Sequence, residues 1–274
     1  MSSEIQSAFQ IRFRGVRGSF PTPTAANLKY GGNTACVEVV RPHGAVRIVL
    51  DAGTGVHPLG HSLLEHEDHD IHVLLTHFHW DHIQGLPGFP PLYHAGNKVT
   101  YHSSHGRHEL QRVLEGQMSE PFFPVPFAKL PAQQEFVHLT RTVEMDGVEI
   151  TPFALHHPGG STGYRLASNG KIVVYATDHE HGNTDADARL LEASRGADVL
   201  IYDAQYTPEI YPRRIGWGHS TWLEGAQLAQ KAGVKQLVLF HHDPHHDDAS
   251  IDAMVDEART HFPQTIAAAE GLVL

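Results

Sequence analysis

The chain has 274 residues, of which 41% are hydrophobic, 19% are charged and 24 are histidines. Its single cysteine, Cys36, excludes a disulfide framework or a Cys-rich zinc module, and its formal net charge of −11 argues against a long nucleic acid as partner. No run reaches the roughly 18 apolar residues of a membrane helix, and the first residues lack a basic stretch followed by an apolar one, so a cytoplasmic protein without membrane contact is expected.

In chain order, short strands rich in Val, Ile and Leu are expected over residues 11–14, 35–40 and 46–50. Cys36 reads as a small buried residue of the second. Residues 72–76 form another strand, nearly continuous in apolar residues and therefore buried. Strands follow at 99–102, 148–154, 172–176, 199–202 and 236–240, and helices at 107–117, 185–195, 221–232 and 250–261. In the third helix Ser220 or Thr221 caps the start, Leu223, Ala226, Leu228 and Ala229 line one face, and Gly233 stops it. Residues 121–131 hold four prolines and read as an irregular surface loop. No repeat and no Gly/Ser linker divides the sequence. One α/β domain over residues 1–274 is expected, with its topology open.

The histidines are not spread evenly. Thr76-His77-Phe78-His79-Trp80-Asp81-His82 directly follows the strand at 72–76. His77, His79 and Asp81 alternate, so on an extended chain they point one way. Three imidazoles and a carboxylate within six residues are donors for a borderline divalent ion such as zinc. Four donors overfill one tetrahedral site, so two ions are expected. His66, His69, His72, His102, His105 and His108 fall outside any such pattern and are expected to be exposed; residues 65–70 read as a solvated loop. The polar run 242–248 reads as a helix start or as a segment that binds adventitious metal.

His-X-His-X-Asp-His after a hydrophobic strand resembles the signature of the metallo-β-lactamase fold, and the resemblance continues along the chain. Asp51-Ala-Gly-Thr-Gly resembles an early Asp-X-Gly turn of that family. His156-His157-Pro-Gly-Gly-Ser-Thr-Gly163-Tyr164 resembles the third motif of the ribonuclease Z-like and cyclic phosphodiesterase-like branch, whose spacing to the Gly-aromatic pair selects His157. Tyr175-Ala-Thr-Asp178, Gly218-His219-Ser220-Thr221 and Leu237-Val-Leu-Phe-His241 resemble its later motifs in the same order. The resemblance implies an αββα sandwich with two divalent metal ions per chain at one edge. Zinc is the first expectation; manganese and iron are the alternatives. His77, His79 and His157 would hold one ion, Asp81, His82 and His241 the other, and Asp178 would be shared. Asp81 would also orient a metal-bridging hydroxide. His219 resembles a catalytic histidine that contacts phosphate or the leaving group. Asp203 occupies an acidic position that can orient it, and Asp51 is expected to fix a ligand or loop.

A dinuclear hydrolase acting on small phosphodiesters or cyclic nucleotides is therefore expected. The alternatives are a carbon-centred hydrolase (lactonase, thioesterase or β-lactamase) using the same site, and a non-catalytic metal-binding protein. Tyr164 and Asp178 lie 14 positions apart, too close for the inserted arm that grips transfer RNA in that branch, so transfer-RNA processing is not expected. The resemblance also implies a homodimer.

Overall fold

The computed structural model describes residues 9–41, 44, 46–64 and 69–274. Two sheets form the centre. The first has the order β1 (Gln10–Gly15), β2 (Cys36–Val40), β3 (Val46–Leu50), β4 (Asp70–Leu74), β5 (Lys98–Ser103), β6 (Gln133–His138). The second runs from β7 (Val143–Met145) through β8 (Val148–Leu155), β9 (Ser161–Ser168), β10 (Lys171–Ala176), β11 (Val199–Asp203) and β12 (Gln236–Phe240) to β13 (Thr265–Ala267). Strands β3 to β6 pair in parallel, as do β10 to β13; the remaining neighbours are antiparallel.

Period-two alternation sorts the apolar residues into layers. Val173 and Tyr175 of β10, with Val238 and Phe240 of β12, face inward against Phe13, Val37, Ile48 and Leu74 of the first sheet. Val174, Leu200 and Leu237 face outward under α4 (Thr184–Ser194), α5 (Trp222–Ala232) and α6 (Asp248–His261). On the other side Val49, Ile71 and Val99 pack under α1 (Val56–Leu63) and α3 (Arg107–Gln117). The result is the expected αββα sandwich. Among the described residues no helix is long and apolar enough to cross a membrane.

Caps follow the sequence. Thr221 caps α5 by accepting from Glu224 N–H, and Gly233 ends it in the left-handed region at φ 66°. Only the end of the run 242–248 starts a helix: Asp247 caps α6 by accepting from Ser250 N–H, while His242 forms a bridge with Arg17.

Several elements depart from expectation. β4 ends at Leu74 rather than Thr76, because the Asp51 carboxylate takes the Thr76 N–H at 2.8 Å and draws the chain off the sheet. His79 then precedes α2 (Trp80–Ile83), so Asp81 and His82 lie on a helical turn and the strand-like alternation stops at His79. α1, which contains Pro58 and Gly60, was not among the expected helices. Its stripe Val56, Leu59, Gly60, Leu63 is nonetheless helical, and proline is tolerated in a first turn. β9 carries few β-branched residues; its length comes from pairing with β8 from Ser161 to Ala167. The expected exposure of the unassigned histidines fails at His102, which is 4% exposed on β5 with its Nε2 2.9 Å from His72 Nδ1. His69, His72 and His105 are half-buried and His108 is exposed. His66 and the loop residues 65–68 lie outside the described residues.

Candidate metal centre

The carboxyl ends of β4, β8, β10, β11 and β12 meet at one edge of the sandwich, where α/β sheets commonly bind ligands. Polar residues cluster there: Thr76 and His77 just beyond β4, His156 after β8, Thr177 after β10, His241 after β12, and Asp203 as the last residue of β11. Asp178 and His241 leave their strands at φ 55° and 62°, and Asp51 leaves β3 at φ 60°. The left-handed conformation is unfavourable for residues other than glycine and gathers where a site demands it. Here it turns the chain sharply at the sheet edge and leaves all three side chains buried.

Two groups of donors form around one carboxylate. His77, His79 and His157 make the first, with His79 Nδ1 3.1 Å from His157 Nε2. Asp81, His82 and His241 make the second, with His82 Nε2 3.2 Å from His241 Nε2 and Asp81 Oδ2 3.1 Å from His241 Nε2. Asp178 lies between them. Its Oδ1 is 3.7 Å from His77 Nε2 and 3.8 Å from His157 Nε2. Its Oδ2 is 3.1 Å from His82 Nε2 and 3.3 Å from His241 Nε2.

The outer nitrogens of these rings are already committed. His82 Nδ1 donates to Asp51 Oδ2 at 2.9 Å, His157 Nδ1 to Gly218 O at 2.7 Å, and His241 Nδ1 to Gln205 Oε1 at 2.9 Å. With a proton on each outer nitrogen, Nε2 is the atom that would face a metal; at His82, buried but held well above the usual histidine range by Asp178, Asp81 and Asp51, a bound ion would take the place of the Nε2 proton. Such partners fix the tautomer a metal needs. His77 Nε2 is buried with no hydrogen-bond partner.

The charges also call for cations. Asp51, Asp81, Asp178 and Asp203 are all buried within this edge. Burial alone would raise the Asp178 carboxyl, but His241 and His82 hold it well below the usual carboxylate range. Asp81 is held low against burial by His82 and His241. Burial drives His77 strongly toward its neutral, metal-binding form. Buried anions that outnumber their paired cations are costly, and divalent ions remove that cost. The donor set fits such ions.

His219 has a different setting. Its Nδ1 donates to Asp203 Oδ2 at 2.8 Å. Burial opposes its charge, but Asp203, with Asp178 and Asp81, pushes its pKa up to about 9. Asp203 also accepts from the N–H of Asp178 at 2.9 Å, tying His219 to the central carboxylate.

Every residue expected to be a metal ligand or a catalytic group reaches this edge. Other participants gave no sequence signal because they act through one hydrogen bond or the backbone. Gln205 orients His241. Ser19 N–H donates to Asp81 Oδ2 at 2.7 Å. Gly18 lets that loop pass the site, since a Cβ there would lie 2.5 Å from the His241 ring. Glu180, two residues beyond Asp178, accepts from Gly216 N–H at 2.6 Å and Gly218 N–H at 2.7 Å. It thereby places the Gly218 carbonyl for His157.

Comparison with known proteins agrees with this geometry. The beta-lactamase superfamily domain model matches residues 46–242. A ribonuclease Z of Thermoplasma acidophilum is 24% identical, with 94% of each chain covered. The metallo-beta-lactamase fold protein YhfI of Bacillus subtilis superposes with a TM-score of 0.73 at 19% identity, over 97% of this chain and 98% of that one. A diphosphatase of the PhnP family superposes at 0.70 and 20% identity, over 97% of each.

These relatives correct one expectation. The absence of a long nucleic-acid partner was inferred from net charge and the short Tyr164–Asp178 spacing, yet a relative over nearly the full length is a ribonuclease, an enzyme of RNA. The −11 is a whole-chain sum and says little about a site built to gather cations. β9 and β10 do form a plain hairpin through Asn169 and Gly170, but that feature carries no argument against RNA. From its matched motifs, sandwich and donor-lined edge, the chain belongs to the beta-lactamase superfamily and is a metal-dependent hydrolase of the metallo-β-lactamase fold.

Proposed function

We propose that the chain is a dinuclear metal-dependent phosphodiesterase that cleaves small phosphodiesters, cyclic nucleotides among them. The observation that carries this reading is the position of Asp178, one oxygen toward His77 and His157 and the other toward His82 and His241. His77, His79 and His157 would hold one ion, Asp81, His82 and His241 the other, and Asp178 both. Five imidazoles and two carboxylates suit zinc first, with manganese or iron tolerated. When bound, such ions lower the pKa of water to about 7 and neutralise charge on a phosphoryl group.

The chain's own groups supply the rest. Asp81, fixed by Ser19 N–H, orients the attacking water. Asp203 holds His219 by Nδ1 and favours its charged form. Nε2 is thereby left to stabilise an equatorial phosphate oxygen or to give its proton to the departing oxygen. A phosphate, with several charged oxygens, uses such a cation more fully than a single carbonyl does. Relatives named ribonuclease Z and a neighbouring diphosphatase support phosphoryl chemistry.

The test loads purified protein with Zn²⁺ or Mn²⁺ and offers bis-p-nitrophenyl phosphate, cyclic nucleotides, an RNA with a 3′ extension, a lactone and a cephalosporin. Phosphodiester turnover is expected. Lactone or lactam turnover with none of phosphodiester refutes the reading. Elemental analysis should find about two metals per chain, and Asp178→Ala should lose at least one.

A further inference from the structure

A cavity of about 310 Å³ opens between α4 and α5, on the outer side of the second sheet. Neighbouring residues divide between it and the metal centre. Asp178 stands among the metal donors, while His179 lines the cavity. Asp203 holds His219, while Tyr202 lines the cavity. His219 reaches the metal edge, while the Ser220 hydroxyl lies 2.8 Å from the Tyr202 hydroxyl and 2.8 Å from His181 Nδ1, both on the cavity wall. The turn after β10 alternates in the same way. Asp178 and Glu180 serve the metal edge, and His179 and His181 face the cavity. A molecule in the cavity therefore bears on the turn that places the shared carboxylate.

The lining selects the kind of molecule. Leu190, Leu191 and Leu228 give an aliphatic wall. Of the two carboxylates, Asp187 is satisfied, accepting from His179 Nε2 at 3.0 Å and from Gly182 N–H at 2.9 Å. Glu224 is not satisfied. Among the described residues its one ionic partner is His181 Nε2, 3.9 Å away and beyond hydrogen-bond reach. A half-buried carboxylate without a close cation, beside an aliphatic wall, suits an ammonium that carries a hydrocarbon body. Lys231 lines the cavity two turns further along α5, about 10 Å by the helix rise, so a second ammonium at that end is repelled. The volume is that of a small-molecule site.

We propose that this cavity binds a small primary amine with an aliphatic body, its ammonium on Glu224, and that its occupant steadies the metal centre by holding the turn that carries Asp178. The site depends on the metal centre and not on the phosphodiesterase reading.

Calorimetry at pH 7 on zinc-loaded protein tests it with hexylamine, hexan-1-ol and 1,6-diaminohexane. Hexylamine should bind at least about tenfold more tightly than the alcohol, the range of a hydrogen bond to a charged group. It should also bind more tightly than the diamine. Equal affinities for amine and alcohol, or no binding of the amine, overturn the proposal. Glu224→Gln should bring the amine down to the level of the alcohol. Ala188→Trp, at an exposed position on the cavity wall, should weaken all three. Hexylamine bound at parental affinity by both variants overturns the proposal, since the amine then sits elsewhere, on the metals if its binding disappears with them.

Zinc itself reports the coupling. With saturating hexylamine, zinc affinity measured against a competing chelator should rise at least about threefold. By linkage, the zinc-loaded protein should bind hexylamine more tightly than the metal-free protein by the same factor. Zinc affinity indifferent to hexylamine overturns the steadying role. No turnover enters these readouts, so failure of the phosphodiesterase reading and failure of the amine site are told apart.

Discussion

Asp51→Asn should cost the protein a metal ion more than it costs the fold. Asp51 is fully buried, and its two oxygens serve different partners. Oδ1 accepts from Thr76 N–H at 2.8 Å. Oδ2 accepts from His82 Nδ1 and from the Tyr175 hydroxyl, each at 2.9 Å. Asparagine keeps the volume and tolerates the left-handed backbone at φ 60°. With its oxygen kept toward Thr76, its amide replaces Oδ2 by a donor. The Tyr175 hydroxyl can rotate and accept. His82 can accept only by moving its proton to Nε2, the nitrogen that faces Asp178 and His241. That proton occupies the lone pair a metal needs. Loss of such an orienting partner typically costs about 10- to 100-fold in metal affinity. The metal-free fold should lose only about 1–3 kcal/mol, the cost of imperfectly satisfied buried groups. The assay is metal content after dialysis against a metal buffer, with urea unfolding of the metal-free protein alongside. Two metals retained at parental affinity would falsify the tautomer argument.

Three further outcomes follow from named contacts. His219→Ala should keep its metals and lose about 10²-fold in kcat, as for a lost acid or oxyanion donor; an unchanged kcat assigns His219 to structure alone. Gly218→Ala places a Cβ 2.2 Å from His157 Nδ1 at a residue with φ 89°, so it should displace His157 and lower metal content as well as stability. Parental metal content in that variant refutes the placement of His157. The third outcome concerns pH. Burial, and then the charge of His72, push the His102 pKa down to about 3 in the folded chain, below the roughly 6.5 of an unfolded histidine. The unfolded state therefore binds the proton first. The stability due to neutral His102 is complete above about pH 6.5 and is lost as pH falls toward 3, by at most about 1.4 kcal/mol per pH unit. His102→Gln should show a shallower acid limb in urea unfolding; parallel curves refute the assignment.

How much of this site was readable in the sequence depends on the range over which each residue acts. His77 to His82 announce themselves because a strand end and one helical turn suffice to place them. Asp178 and His241 were legible by the strands they follow. Their division of labour was not: which oxygen of Asp178 faces which histidines is settled only when β4, β8, β10 and β12 align at one edge. Gln205 was invisible because it acts on His241 through one side-chain hydrogen bond, and Gly218, though part of a recognised motif, gave no sign that its carbonyl reaches across 61 positions to His157. β9 was missed for a related reason: Gly163 weakens its strand character yet is needed there to seat Phe153. Net charge misled most, and the structure shows why. Asp51, Asp81, Asp178 and Asp203 contribute to the sum that argued against a polyanion, and these same carboxylates face or orient the metal donors. Once cations occupy such a site, its field toward a phosphate reverses sign locally. An acidic chain can thus recognise a phosphodiester because its acids are spent on metals, so the placement of charge decides where its sum cannot.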